Sequence, residues 1–457
     1  MITRFSVLRG IRSCSFSLVC CGITAVSSFL ALPVSAQQPW TLRQCIDYAI
    51  DHNIGIKQRA NQRTQQEYNL STARNSRLPD LSASASENFS FGRAQTLDGT
   101  YSNRNTNNTS FGVGTSVPLF TGFQIPNSIK LSQLNLEAAT ADLEKAKNDI
   151  QMQVAQAYVQ ILYDMEMAVV ARRQISIDSA QVARLDAFVR NGKASQAELS
   201  QQQATLSQAV LTATQADNNL QLSILALTQL LELPSPEGFT IKAPVLSTEG
   251  NTVESIGGAD AIYAEALTIK PEVQAEQLRL EASERNIDIA KSALYPKLNF
   301  NAGLQTNYYK TNGFQAEGFF DQMKNNFAQY VGLSLSVPIF NRYATRNSIR
   351  SAQVDRDNQL LQLDNVKKSL YKEIQQVYYS ARAAMSKRES SEAANRSSYD
   401  AFALMQAKYE NGKANITEFN EAKNNYLKTE SDLVQARYEL LYQTALLDFY
   451  RGRELNF

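Results

Sequence analysis

Histidine, tryptophan and cysteine are scarce in this chain of 457 residues, which has one His, one Trp and four Cys. With a single imidazole, His52, the chain lacks the residues from which most protein metal sites and acid–base catalysts are built. Paired carboxylates such as Glu389 and Glu392 remain, but on a long predicted helix such pairs are typical of a solvated face. We therefore expect no catalytic residues, no metal site and no cofactor.

Glycine and proline are also few, at 19 and 11 residues, and the formal net charge is only +1. This balance does not favour binding to nucleic acid, which proteins achieve with an excess of Lys and Arg. Hydrophobic residues make up 43% and charged residues 19% of the chain, a composition that excludes intrinsic disorder. The length alone would accommodate about three or four domains of ordinary size.

Residues 1–36 have the three-part layout of a secretory signal peptide. Three arginines precede a mostly apolar run over about residues 15–32, and a small Val-Ser-Ala segment ends it. We expect cleavage before Gln37, with a retained membrane anchor as the alternative. A Leu-Val-Cys-Cys segment weakly resembles a lipoprotein site, so lipidation of Cys21 stays open.

Cleavage would leave 42 Lys and Arg against 44 Asp and Glu, a net charge of −2, with Cys45 as the remaining cysteine. Cys45 shares a predicted helical face with Leu42 and Ala49, so we interpret it as a buried apolar residue rather than a reactive thiol. One thiol excludes an intrachain disulfide. Stability must then come from packing between helices, between chains, or both.

The chain is an internal duplication. The segment Ser116–Phe120 recurs as Ser336–Phe340, and Asn191–Ala194 recurs as Asn411–Ala414, both at an offset of 220 residues. Between the two copies lies a linker rich in Pro, Gly, Ser and Thr. The predicted division is a first repeat over 37–232, a linker over 233–258 and a second repeat over 259–457.

Each repeat is predicted to fold as a helix, two strands and two further helices, since the hydrophobic pattern changes from helical spacing to period two and back. The predicted elements are helix 41–76, strands 80–92 and 109–120 and helices 126–188 and 195–231 in the first repeat, and helix 259–293, strands 297–309 and 327–338 and helices 344–408 and 415–450 in the second. The fold class is therefore α+β and mostly α.

The polar face of the four predicted strands consists of Ser, Gly, Asn and Gln, with few charges. Aliphatic and aromatic residues form the opposite face, and strands of about 10–14 residues with this alternation fit a membrane β-barrel. A soluble, half-buried antiparallel sheet shares the alternation and is the alternative. Aromatic residues near the strand ends, such as Phe89, Tyr308 and Phe327, favour the membrane, because they are typical of an interfacial girdle.

A sheet in a membrane must close so that every backbone group is paired, and about eight strands is the smallest barrel. Four strands per chain therefore require an oligomer. Two chains would give about 8 strands around a lumen filled by side chains, whereas three would give about 12 strands and room for water. The small polar face favours three chains, with Pro118 and Pro338 at the two strand-to-helix junctions.

Two of the predicted helices are too long for an ordinary globular core. The helix over 126–188 would extend about 90 Å, and the helix over 344–408 is similar. Small and polar residues along both allow several helices to pack side by side, as in a coiled coil. Each ends at an Asn-Gly turn, at Gly192 or Gly412, so three chains would supply six hairpins for a helical tube.

This layout resembles the TolC-type outer-membrane efflux channel family over essentially the whole mature chain. The resemblance rests on the N-terminal segment around Cys45, the twin Val-Pro-Leu/Ile-Phe junctions, the segment Ala266–Val273 and the twin glycine turns. Their order, spacing and duplication carry it together. The resemblance implies a homotrimer in the cell outer membrane, in which an antiparallel β-barrel of about 12 strands continues into a long periplasmic α-barrel.

By the same resemblance, the chain would be the exit duct of a tripartite efflux or type I secretion system. It would passively conduct substrates from a periplasmic adaptor and an inner-membrane pump to the outside, and the pump would supply the energy and select the cargo. The alternative is a secreted or periplasmic coiled-coil protein, structural or adhesive, without a pore.

In the family, acidic residues six and nine positions beyond the second tip glycine ring the narrow periplasmic mouth, and these positions are Glu418 and Glu421 here. In a trimer each would form a ring of three carboxylates, which favours cations in a pore. Their spacing places both on one helical face. Glu418 has an alternative role, as the partner of Asn415 in a capping box.

Tip closure in the family also uses a tyrosine before the second glycine, which Tyr409 matches. It further uses a basic residue two positions after that glycine, where this chain has Ala414, so we do not expect the same latch. The other candidates for a tip latch or an adaptor contact are charged residues, for which solvated tip charges are the alternative: Arg190, Lys193, Glu198 and Lys413.

Overall fold

A computed structural model describes residues 39–95, 99–244 and 257–455. The predicted signal peptide, with Cys21, and the middle of the predicted linker lie outside these residues. The helices are α1 (Leu42–His52), α2 (Ile54–Asn75), α3 (Gln124–Arg190), α4 (Gln196–Leu230), α5 (Ala259–Ile269), α6 (Pro271–Ser292), α7 (Phe319–Asn325), α8 (Ala344–Glu410) and α9 (Ile416–Tyr450). The strands are β1 (Ser82–Ser90), β2 (Arg93–Gln95), β3 (Tyr101–Asn103), β4 (Thr106–Phe120), β5 (Lys297–Thr311) and β6 (Ala328–Ser336).

Two long helical hairpins, α3–α4 and α8–α9, dominate the described residues and confirm the predicted fold class. Helices α3 and α8 have 67 residues each, which is about 100 Å of helix. The return helices α4 and α9 have 35 residues each. Pro126 lies in the first turn of α3, where a proline removes no helical hydrogen bond, so α3 begins slightly before the predicted residue 126.

The predicted helices over 41–76 and 259–293 are each broken once. Asn53 ends α1 and caps α2, because its Oδ1 accepts hydrogen bonds from the backbone N–H of Gly55 at 2.8 Å and Ile56 at 3.4 Å. Lys270 separates α5 from α6, and its extended ψ of 124° follows from the ring of Pro271, which disfavours the helical conformation in the preceding residue. Each of the two predicted helices is therefore a pair of consecutive helices, α1 with α2 and α5 with α6.

One antiparallel sheet in the order β1-β4-β5-β6 joins strands of both repeats. Strands β4 and β5 are longer than the predicted strands 109–120 and 297–309, whereas β1 and β6 are shorter than the predicted 80–92 and 327–338. A small hairpin of β2 and β3 lies in the loop between β1 and β4. The short helix α7 lies in the loop between β5 and β6. The sequence predicts neither element.

The register of the sheet separates a polar face from an apolar face. One row across the four strands places Ser82, Gly114, Gly303 and Tyr330 side by side. The Tyr330 ring lies over Gly303, where an added Cβ would come within 2.6 Å of the tyrosine hydroxyl. Alternate positions carry the apolar side chains, as predicted from the period-two pattern, and Val331 among them is 74% exposed.

Buried side chains form separate clusters along the hairpins instead of one globular core. The first surrounds Cys45 and Tyr158, and the second contains Ile262, Leu370 and Leu447. Cys45 is fully buried, as the sequence predicts, and burial raises the pKa of its thiol to about 12. The thiol is therefore protonated and unreactive at neutral pH.

None of the helices over residues 39–95, 99–244 and 257–455 combines the length and the apolar character that crossing a bilayer requires.

Candidate functional site

The two hairpin turns have the same backbone geometry, which we call the first tip (residues 191–195) and the second tip (residues 411–415). Gly192 and Gly412 have φ values of +67° and +70°, a conformation that glycine adopts without strain. The Lys193 N–H donates to the Phe188 carbonyl, and the Lys413 N–H to the Lys408 carbonyl, both at 2.8 Å. This is the Schellman arrangement, which satisfies the last carbonyls of α3 and α8.

The asparagine before each glycine also closes its helix. Asn191 Nδ2 donates to the Ala187 carbonyl at 2.7 Å, and Asn411 Nδ2 donates to the Ala407 carbonyl at 2.8 Å. Each side chain therefore satisfies a carbonyl in the last turn of its helix.

The helix that follows each tip begins with a capping box. Ser195 and Glu198 exchange backbone and side-chain hydrogen bonds of 2.9 and 3.1 Å at α4. Asn415 and Glu418 do the same at α9, at 3.0 and 2.9 Å. Each box satisfies two backbone N–H groups. Glu418 therefore has the capping role that the sequence offers as its alternative, and its carboxylate remains exposed.

Glu421 has no capping role and lies one turn further along α9. It is exposed and makes no ion pair with the described residues. Phe419 and Lys423 lie on the buried face of this helix, and at about 100° per residue Glu418 and Glu421 lie on the opposite face. The two carboxylates therefore share one exposed face, and the rest of the hairpin packs behind it.

Tyr409 is buried in an aromatic cluster beneath the second tip. Its ring stacks on Phe419 with centroids 5.1 Å apart, and Phe402 packs against Phe419 at 5.7 Å. From α3, the Arg184 guanidinium lies 5.2 Å from the Tyr409 ring centre and donates to the Glu410 carbonyl at 2.8 Å. The contacts made by Tyr409 therefore join the two hairpins of one chain.

Burial raises the pKa of Tyr409; the Arg184 charge opposes this rise and the Glu198 charge adds to it. The tyrosine is therefore neutral at physiological pH.

The remaining predicted tip charges are solvated. Arg190 pairs with Asp186 on the same helix at 2.7 Å, and its side chain is 77% exposed. Lys193 and Lys413 are exposed, and their backbone N–H groups form the tip turns described above. These exposed cations are available to a partner at the two tips.

A buried polar cluster lies between the hairpins, further along their helices than the tips, and the sequence does not reveal it. Asp178 on α3 and Lys423 on α9 form an ion pair in which neither side chain is exposed. Gln202 on α4 donates to Asp178 Oδ1 at 3.2 Å. The partners are distant in sequence and belong to different repeats, so no local pattern marks them.

The strand-to-helix junctions repeat a second backbone geometry. Pro118 lies within β4, next to an irregularity in the pairing with β5, whereas Pro338 lies just after the end of β6. After each proline, two consecutive residues have positive φ: Gly122 and Phe123 at 64° and 66°, and Arg342 and Tyr343 at 55° and 62°. The duplicated turns connect the sheet to α3 and α8.

The site thus offers carboxylates on one exposed face and cations at the tips. Within the described ranges, no group of three or more His, Cys, Asp and Glu residues is placed to hold a metal ion. An exposed pair of carboxylates attracts cations through its charge.

Comparison with known proteins supports the duplication and the fold. A family model described as outer membrane efflux protein matches residues 45–232 and 262–453, one block in each repeat. OprJ, an outer membrane protein of Pseudomonas aeruginosa, is 21% identical over 416 residues, which cover 90% of this chain and 83% of OprJ. OpmQ, the pyoverdine export outer membrane protein of Pseudomonas putida, is 24% identical over 50% of this chain and 45% of OpmQ.

The chain therefore spans about half the length of OpmQ and most of OprJ. The crystal structure of the CmeC outer membrane channel of Campylobacter jejuni has the same fold, with a TM-score of 0.77 at 17% identity over 91% of this chain and 87% of CmeC. Since the family model covers both repeats, the chain belongs to the outer membrane efflux protein family.

Proposed function

We propose that the chain is the exit channel of a tripartite efflux or type I secretion system and that it works as a homotrimer in the cell outer membrane. Its helical hairpins extend into the periplasm, where the tips meet an adaptor that connects the channel to an inner-membrane pump. Transport through the chain is passive, and the chain is neither an enzyme nor a nucleic-acid-binding protein. Membership of the outer membrane efflux protein family supports this proposal.

The observation that carries the proposal is the state of the sheet in a single chain. In the part of the chain that the structure describes, β1 pairs only with β4 and β6 only with β5, so both outer edges are open. On the apolar face, Val331, Leu333 and Leu335 are 74%, 66% and 66% exposed. In lipid, the unpaired backbone groups of the edge strands β1 and β6 must pair with strands of further copies, so that the sheets close into a barrel. Three copies supply twelve strands, four from each chain.

A secreted coiled-coil protein without a pore is the less favoured function. Its sheet would form a soluble cap, and the exposed apolar side chains would then have to be covered by another protein. The name of OpmQ describes pyoverdine export, and export of a small molecule through this chain is compatible with a lumen lined by Ser, Asn and Gly.

Membrane fractionation of cells that express the full-length chain tests the proposal. We expect the chain in the outer-membrane pellet after carbonate extraction, and a trimer after chemical cross-linking. Recovery as a soluble periplasmic or secreted protein would contradict the channel and support the coiled-coil alternative. If the chain is found in the outer membrane, co-purification of an adaptor and a pump would identify the transport system.

A further inference from the structure

A glycine and a tyrosine on neighbouring strands fit together on the polar face of the sheet. Gly303 on β5 lies directly opposite Tyr330 on β6. A Cβ added at Gly303 would lie 2.6 Å from the tyrosine hydroxyl oxygen and 2.7 Å from Cζ, and both distances are well below van der Waals contact. The tyrosine ring therefore occupies the space that any other residue at position 303 would fill, and we call this pair the glycine seat.

The ring lies across the sheet, although a strand side chain usually stands perpendicular to it. The hydroxyl oxygen of Tyr330 is also 3.5 Å from a Cβ added at Gly114 on β4, and β5 separates β4 from β6. Since neighbouring strands are about 4.8 Å apart, the side chain extends over β5 towards β4. The ring thus lies against the sheet, and 47% of the Tyr330 surface remains exposed.

Tyr330 is the one aromatic side chain in the middle of the polar face. This face consists of the even-numbered positions of β1, β4 and β6 and the odd-numbered positions of β5, up to the irregularity after Pro118. The other aromatic residue on it is Tyr309, six residues from Gly303 along β5, or about 20 Å. The neighbours of Tyr330 on this face are small or polar: Ser82, Gly112, Gly114, Asn301, Gly332 and Ser334.

The glycine seat depends on shape, because among the residues that the structure describes the Tyr330 hydroxyl has no hydrogen-bond partner. An aromatic ring over a glycine also stabilises a sheet, which is an alternative role for the pair. A side chain at position 303 would stabilise the strand more directly, however, since glycine in a strand interior has nothing to pack. What the glycine adds is a place for a large ring to lie flat.

We infer that Gly303 is a positioning residue, which holds the Tyr330 ring against the wall of the barrel and so keeps the lumen wide enough for bulky cargo. This inference rests on the proposed channel function, in which the polar face lines the lumen. A trimer has three glycine seats at one level of the barrel. A Cβ at position 303 displaces each ring from the wall, and three rings then project into the lumen together.

Labelling of intact cells with thiol reagents of two sizes tests the inference. The full-length chain carries Ser336→Cys, an exposed position of the polar face six residues beyond Tyr330 towards α8, so that reagents from outside pass the glycine seats first. The parent chain gives the background, since Cys45 is buried. We expect Gly303→Ala to slow labelling by a bulky polymer maleimide several-fold and to leave labelling by a small maleimide unchanged.

The matched control is Gly332→Ala, which adds the same methyl group to the same face. Apart from its two chain neighbours, no described atom lies within 4 Å of that group, so both reagents should label this variant at the wild-type rate. Tyr330→Phe should also label normally, because the hydroxyl has no partner. Adding Tyr330→Ser to Gly303→Ala should restore labelling by the bulky reagent, since no ring remains to be displaced.

The dependence on reagent size separates positioning from stabilisation of the sheet. Wild-type labelling of Gly303→Ala by the bulky reagent would overturn the inference. Loss of the trimer in Gly303→Ala would also overturn it, because the glycine seat would then serve stability alone. Failure of the small reagent to label Ser336→Cys in the otherwise wild-type chain would instead overturn the proposed channel.

Discussion

The two hairpin tips share the same backbone conformation but carry different side chains. Their glycines differ in φ by only a few degrees, at +67° and +70°, and both are followed by a capping box at the same position. The duplication has therefore preserved the geometry of the turn, since this depends on a glycine with positive φ and on a short polar N-cap residue.

At matched positions the side chains of the two tips diverge. Val189 and Leu199 near the first tip correspond to Tyr409 and Phe419 near the second. The exposed Gln201 corresponds to Glu421, and the exposed Gln203 to the buried Lys423. The second hairpin therefore differs from the first in its aromatic cluster, in the carboxylate of Glu421 and in the buried ammonium of Lys423, which pairs with Asp178. The backbone is therefore retained in both copies, whereas the carboxylate of Glu421 and the buried ammonium of Lys423 occur in the second copy alone.

Removal of a buried side chain beneath each tip should have the largest effect on stability, and the effect should be larger at the second tip. Phe419→Ala removes a fully buried ring and should lower the local free energy of unfolding by about 4 kcal/mol, whereas Leu199→Ala should lower it by about 3 kcal/mol. Amide hydrogen exchange at each tip measures both changes. Greater loosening of the first tip by Leu199→Ala than of the second by Phe419→Ala would contradict the account.

Replacement of the tip glycines should affect both hairpins equally. Gly192→Ala and Gly412→Ala force a side chain into the left-handed region, which costs about 1–2 kcal/mol. Among the described residues, and apart from the glycine and its two chain neighbours, no atom lies within 4 Å of an added Cβ at either position, so backbone strain is the expected effect. Hydrogen exchange in the last turns of α3 and α8 measures it, and a clear difference between the two variants would show that the turns are not equivalent.

The smallest stability effect is expected at the helix starts. Ser195→Ala and Asn415→Ala should each cost about 1 kcal/mol, because each removes an N-cap acceptor. Glu418→Gln is the control, since glutamine also closes a capping box. Exchange of the first backbone amides of α4 and α9 reports the change. Faster exchange in Glu418→Gln than in Asn415→Ala would show that the charge of Glu418, rather than its hydrogen bonds, stabilises α9.

Local patterns predicted much of this fold. The period-two strands and the uninterrupted helices are each visible within a short segment, and the offset of 220 residues is visible when the sequence is compared with itself. The breaks at Asn53 and Lys270 also have local causes, a capping side chain and a following proline, but helical spacing continues across both and hides them.

Contacts between distant residues were beyond local patterns. The ion pair of Asp178 and Lys423 joins residues 245 positions apart, and each residue by itself has the sequence context of a solvated helix. The family resemblance led to Glu418, Glu421 and Tyr409, and the sequence also offered the capping box of Glu418 that the structure shows. The buried cluster around Tyr409 was not visible in the sequence. The pore-lining role of the two glutamates stays a prediction.

Ion selectivity of the purified trimer in planar bilayers tests the central claim most directly. The recording compares the wild type, the double variant Glu418→Gln with Glu421→Gln, and Glu198→Gln as the matched change at the first tip. Rings of carboxylates favour cations, so we predict a cation-selective wild type that multivalent cations block, loss of both properties in the double variant, and wild-type behaviour of Glu198→Gln. A double variant with unchanged selectivity and unchanged block would contradict the account.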